Sequence, residues 1–282
     1  LRRVQAEAEV RRRAGDVEGA LRKMEWEERV LRAQDAVAEA TELRVARGTL
    51  LVEEGVIDEA RRVLRSAAWE SGAVGAIRGE AADALGQLEP LETADHLARS
   101  AAYEAAGKPG LAARALRAAI SSGVSDEAGL QLRVARLYYD ERDYPAARSA
   151  FLRAAELQSD AELKAEAQLY AARSLFRTGT RSRSAALAEM RRVVENHPGT
   201  AAAGTALYLL GDESSSIREA LGLYRRAAAV THSPDAREAL FRVGDRSLRL
   251  DDTAGALRAW EDYVSRYPRG DATARVAYEA GK

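Results

Sequence analysis

Cysteine is missing from this 282-residue chain, and histidine occurs only three times, at His96, His197 and His232. Without cysteine there is no disulfide frame, no thiolate metal site and no cysteine nucleophile. Three histidines so far apart argue against a histidine-based metal or acid–base centre. An excess of one charge is lacking too: 43 Lys and Arg minus 44 Asp and Glu leaves −1. That balance argues against nucleic-acid binding, which normally draws on a basic surplus. No apolar run approaches the roughly 20 residues that span a bilayer, and the longest apolar tracts are alanine runs interrupted by arginine, as at 225–230. Alternating β-branched runs are nearly absent, which excludes a sheet protein. A Gly-x-x-x-x-Gly-Lys-Ser/Thr phosphate loop does not occur. The acidic pairs Asp251-Asp252 and Asp140/Asp143 lack the ligand order of a calcium loop. Neither a metal nor a cofactor is expected.

What is present is alanine, arginine and a repeat. Charged residues make up 31% and hydrophobic residues 46% of the chain, enough to bury a core. Only four lysines appear, so nearly all positive charge is arginine. In the C-terminal third, Ala256, Trp260, Tyr263 and Pro268 recur in spacing as Ala186, Met190, Val193 and Pro198. Ala220, Tyr224 and Ala227 form another copy, as do Ala147, Phe151 and Ala154. Ala112 with Leu116 and Ala60 with Leu64 extend the series, and Ala20 with Met24 opens it. The anchor alanines 112, 147, 186, 220 and 256 stand 35, 39, 34 and 36 residues apart. A small residue followed four positions later by a large one places both on one helix face. The alanine admits a neighbouring helix and the large side chain fills the groove beside it. Gly244, Ala147, Phe151, Ala186, Ala220, Tyr224, Ala256, Trp260 and Pro268 are the residues that define the repeat and its core.

Turns precede the anchors. Gly15, Gly55 and Gly107 each lie five residues before an anchor alanine, and Arg142 and Asp251 take that position in two other copies. Pro198, Pro234 and Pro268 follow helices, while Pro109 and Pro145 sit just inside helix starts. The unit is therefore helix–turn–helix, about 34 to 40 residues long. Between Ala60 and Ala112 the spacing widens to 52, which leaves room for an extra helix near 74–86. Three regions follow: N-terminal degenerate hairpins over 1–72, an extra helix or kink over 73–91, and a regular array over 92–282. Trp26, Trp69 and Trp260 are expected in the core. Glu7 and Glu9 with Arg11, Arg12 and Arg13, and Glu25, Glu27 and Glu28 with Arg29 and Arg32, read as helix-supporting charge ladders. Glu213 reads as a turn residue.

These motifs resemble the tetratricopeptide repeat family, which carries Leu-Gly-x2-Tyr in its first helix, then Ala-x3-Phe-x2-Ala and a closing proline in its second. Leu240, Gly244, Ala256, Trp260, Tyr263 and Pro268 match best. The resemblance implies an all-α fold, a right-handed α-α superhelix of helical hairpins. In such folds the first helices line the binding face. There Arg133, Arg136 and Tyr139, and in the next copy Tyr170, Arg173 and Arg177, form an expected basic, aromatic groove for an acidic peptide or glycan. A narrower resemblance rests on Tyr267-Pro268-Arg269-Gly270-Asp271, Ala274-Arg275 and Tyr278-Glu279-Ala280-Gly281-Lys282. These are similar to the superhelical region of soluble lytic murein transglycosylases. That likeness implies a non-catalytic scaffold, a periplasmic location, peptidoglycan or protein partners, and further chain after Lys282 bearing the catalytic domain. The catalytic Glu-Ser motif of that family has no counterpart here: Glu70-Ser71 and Glu213-Ser214 lack the Gly-x-Met-Gln that should follow. The alternative is a free-standing adaptor, periplasmic or cytoplasmic, that binds a protein or peptide in its groove. No pattern sets an oligomeric state.

Overall fold

A computed structural model describes residues 1–269 together with Thr273, Val276 and Tyr278. Among these residues the regular structure is helical throughout. The chain divides into two compact units, Leu1–Asp143 and Tyr144–Lys282. The first contains α1 (Arg2–Arg13), α2 (Val17–Ala33), α3 (Val37–Glu53), α4 (Ile57–Trp69), α5 (Gly75–Leu85), α6 (Thr93–Ala105), α7 (Pro109–Ser121) and α8 (Glu127–Asp140). The second contains α9 (Tyr144–Leu157), α10 (Ala161–Arg177), α11 (Arg183–Asn196), α12 (Ala201–Glu213), α13 (Ile217–Ala229), α14 (Ala236–Leu248) and α15 (Thr253–Arg266). The extra helix expected between the anchors Ala60 and Ala112 is α5.

Within each unit every helix packs on the next in sequence. In the second unit α10 also touches α12, and α12 touches α14. Those three first helices therefore lie side by side on one face, with α11 and α13 behind them. The repeat alanines make this possible. Ala147, Ala186, Ala220 and Ala256 are all buried, and so are Phe151, Met190, Tyr224 and Trp260, four residues on. Gly244 serves the same approach from the facing helix: a Cβ there would overlap the Trp260 indole. One continuous core joins Met190, Ala220, Tyr224, Ala256 and Trp260 with Leu169, Leu207, Leu240 and Tyr263.

The turn five residues before the anchor is the same object in five of the seven copies, the exceptions being those of Ala186 and Ala220. Gly15, Gly55 and Gly107 have φ of +82°, +73° and +67°, and Arg142 and Asp251 adopt +65° and +60°. At each, two backbone bonds close the preceding helix. The Arg142 N–H donates to the Tyr139 carbonyl at 3.0 Å and the Asp143 N–H to the Tyr138 carbonyl at 2.9 Å. The Asp251 N–H donates to Leu248 and the Asp252 N–H to Ser247, both at 3.0 Å. This is the Schellman closure, which needs a left-handed residue just after the helix. A sixth copy lies at Asp35, φ +58°, five residues before the buried Ala40. Ala20, Ala40 and Ala60 thus repeat every 20 residues, one helix per turn. Side chains with a Cβ pay for the left-handed region, arginine more than aspartate. Arg142→Gly is therefore expected to raise stability by roughly 0.5–1 kcal/mol, and Asp251→Gly by less. Urea unfolding of both variants checks this; a loss at Arg142 would contradict it.

Several sequence expectations are corrected. Trp26 and Trp69 are about half exposed, at 53% and 51%, and only Trp260 is core. Trp26 lies two residues past Met24, roughly 200° around the helix from the side chain that fills the groove; instead the Lys23 ammonium lies 4.9 Å from its ring. Pro268 is exposed and ends α15 rather than filling the core. Glu213 is the last residue of α12, not a turn residue, and pairs with Arg183. Glu28 does more than support its own helix. It is buried and bonds Arg44 at 2.6 Å and Arg47 at 3.1 Å, both on α3. The ladder at the N-terminus forms in part: Arg12 and Arg13 both donate to Glu9, holding that carboxyl down at about 2, while Arg11 turns to Asp16 and Glu7 to Arg3. Gly270, Asp271, Ala274 and Arg275, which carry part of the transglycosylase likeness, lie outside the described residues.

Candidate functional site

The site grows from α10. Asp160 caps this helix, its carboxylate accepting the Leu163 N–H at 2.9 Å. Ala165, Leu169 and Ala172 turn into the core. Glu162, Glu166, Tyr170, Arg173 and Arg177 recur at steps of four, four, three and four, which is one helical stripe on the opposite side. Two carboxylates therefore stand at the start of the stripe, an aromatic ring in the middle and two guanidinium groups at the end.

Tyr170 is held by two neighbours. Its ring stacks on the buried Phe151 of α9, with centroids 5.3 Å apart and planes at 29°. The Arg173 guanidinium also lies over this ring, 4.7 Å from its centre. Such a stack is stabilising and restricts both side chains. Beside it, α12 contributes Ala201, Ala202 and Thr205, small side chains that leave space. A depression of about 370 Å³ results, lined also by Glu162, Glu166, Tyr170, Arg173 and the Asp235 end of α14. A second depression, about 190 Å³, adjoins it and shares Arg173; Phe176, Arg177, Leu209 and Asp212 line it.

The charges here are partly committed. The Glu162 carboxylate accepts the Ala201 N–H at 3.1 Å, at the start of α12, and lies 3.6 Å from His232. Asp212 accepts the Tyr224 hydroxyl at 2.6 Å. Burial first, and then that hydrogen bond, push the Tyr224 phenol well above its ordinary value. Arg183 packs over Phe176 at 5.1 Å while pairing with Glu213. Arg177 is exposed and forms no ion pair among the described residues. The groove is thus not uniformly basic: Glu162, Glu166, Asp212, Glu213 and Asp235 share it with the arginines. Sequence reasoning missed this acidic half, although the i, i+4 continuation from Tyr170 back to Glu166 and Glu162 marks it.

The other three expected residues lie in the first unit, on α8. Arg133 pairs with Glu104 of α6 at 2.6 Å, Arg136 is exposed and Tyr139 is half-buried. The first unit has a groove of its own, about 390 Å³, between α1, α3 and α5, with Glu42, Glu53 and Glu80 on its rim. Among the described residues, no three His, Asp or Glu side chains are grouped as metal ligands would be. No helix among them is long and apolar enough to cross a membrane.

No protein-family model matches the sequence, and no curated protein matches it. Solved structures do. The apo form of RapI is 16% identical, with 98% of this chain and 79% of RapI covered at a TM-score of 0.54. The C-terminal part of a TPR repeat-containing protein from Cytophaga hutchinsonii is 11% identical, with 96% of this chain and 98% of that one covered at a TM-score of 0.50. The fold is tetratricopeptide-like. At these identities the likeness extends to fold alone, and the tetratricopeptide-like repeat is what organises the site: α10, α12 and α14 are its first helices.

Proposed function

We propose that this chain is a non-catalytic helical-repeat scaffold that binds a protein or peptide segment along the α10–α12–α14 face of its second unit. The supporting observation is the Tyr170–Arg173 stack between two adjoining depressions. An aromatic anchor already held by two neighbours loses little freedom on binding, and such residues dominate interface energetics. Arg173 and Arg177 present forks suited to carboxylates. Glu166 and Asp235 suit a cation at the other end. The segment that fits is therefore of mixed charge, basic toward Glu166 and acidic toward Arg177.

A random peptide library displayed on phage and selected on the whole chain tests this. Tyr170→Ala and Arg173→Glu are each expected to weaken the recovered peptides about tenfold or more, roughly 1.4 kcal/mol. Arg258→Glu, on the exposed side of α15, is expected to change affinity less than about twofold. Peptides indifferent to both groove substitutions would refute the assignment.

A second reading makes this scaffold the superhelical part of a periplasmic lytic transglycosylase, with peptidoglycan as a partner. Tyr267-Pro268-Arg269-Gly270-Asp271 supports it. The intact mass of the endogenous protein separates the two readings. A mass well above 30.5 kDa, with lytic activity in the added part, favours the enzyme; a mass near that value favours a free-standing adaptor, cytoplasmic or periplasmic.

A further inference from the structure

The second helices carry an outward position two residues after the anchor alanine. Arginine occupies it in four copies, Arg22, Arg62, Arg114 and Arg258, and serine in a fifth, Ser149. In α11 and α13 it shrinks to Ala188 and Gly222. All seven are exposed. Beside Gly222, between α11 and α13, lies a slot of about 440 Å³, floored by Val194, Leu207, Leu210 and Leu223.

Gly222 is the feature to explain. It lies in the interior of α13, where glycine is less stable than alanine. Other glycines of this unit have a packing reason: a Cβ on Gly204 would meet Ser233, on Gly211 the Tyr224 ring, on Gly244 the Trp260 indole. Around Gly222 there is nothing within 4 Å. Packing within the chain therefore does not account for it; the approach of another backbone would.

The rim says what kind. Arg191 and Glu195 stand one turn apart on α11, and Glu219 and Arg226 two turns apart on α13. Arg191 and Glu219 share one end of the slot, where both line an adjoining recess. Arg191, Glu195 and Arg226 form no ion pair among the described residues. A surface of apolar floor and alternating rim charge is complementary to a helix with an apolar stripe and flanks of both signs. We infer that the slot between α11 and α13 docks an amphipathic α-helix from a protein partner, its backbone resting on Gly222 and its flanking charges paired with Arg191, Glu195, Glu219 and Arg226. This surface lies on the second helices and is separate from the α10–α12–α14 groove.

The test is a displayed library of amphipathic helices, selected on the whole chain and measured against variants. Gly222→Ala is expected to raise Tm by about 2 °C, since alanine is the better helix former, while weakening the selected helices at least about tenfold. Gly222→Arg, which restores the residue of the other copies, is expected to abolish binding without lowering Tm. Reversing Arg191 and Arg226 to glutamate should lose these helices and recover others with the charges exchanged. Helices that bind the wild type and Gly222→Arg within twofold overturn the proposal. So does a selection with no Gly222-dependent helix, or one whose helices respond to Arg173→Glu instead. Self-association of the wild type that Gly222→Arg removes, seen by analytical ultracentrifugation, assigns the slot to a second copy and likewise overturns a partner helix.

Discussion

Asp95→Ala is expected to destabilise the first unit by about 3–5 kcal/mol, the range for removing one partner of a buried ion pair. Asp95 is fully buried at the start of α6. Its carboxylate accepts Arg61 at 2.5 Å, Arg65 at 2.7 and 2.9 Å, and the Glu92 backbone N–H at 2.9 Å. Arg61 and Arg65 come from α4, so this one side chain both caps α6 and ties it to α4. Alanine would leave the Arg61 guanidinium, 12% exposed, with the Leu88 and Pro90 carbonyls and the more distant Glu92 carboxylate at 3.9 Å. Asp95→Asn keeps an acceptor but not the charge, and should fall between the two. Urea unfolding of the three proteins, followed by circular dichroism, measures the series. A loss below about 1 kcal/mol for alanine would show that the network adds nothing to the repeat packing.

Phe151→Ala is expected to cost a similar 3–5 kcal/mol, because a fully buried phenylalanine leaves a large cavity. It should also weaken peptides that bind the α10 face, although Phe151 does not line that groove. Tyr170 loses the ring it stacks on, and Arg173 loses a fixed platform. Phe151→Leu separates the two effects. Leucine fills most of the volume, so stability should largely return, at a cost below about 1.5 kcal/mol. Peptide binding should stay reduced, since an aromatic pair worth about 0.5–1.5 kcal/mol is gone. Peptide affinity that returns fully with leucine would mean that Phe151 acts only through packing.

The helices and their turns were legible because they are local. Ala-x3-large encodes a helix face, and in most copies a residue five before that alanine encodes the left-handed closure, even where Arg142 or Asp251 stands for glycine. The same rule, applied to Asp35 and Ala40, would have shown the 20-residue period at the N-terminus. What was not legible depends on partners far away in sequence. Asp95 meets Arg61, 34 residues away, and Glu28 meets Arg44, 16 residues away; no local spacing distinguishes either from a solvated charge. Bulk alone does not place Trp26 and Trp69: rotation from Met24 and Leu64 carries both rings away from the core. At the site, the arginines were legible on α10, but not their carboxylate neighbours Asp212 and Asp235, which arrive from α12 and the start of α14.

The most direct test of a binding face on the first helices is photo-crosslinking with p-benzoylphenylalanine in place of Tyr170, using peptides recovered from the random library. A crosslink from position 170, competed by the unlabelled peptide and absent when the probe stands at position 258 of α15, is the predicted result. A crosslink from position 258 with none from position 170 would contradict it.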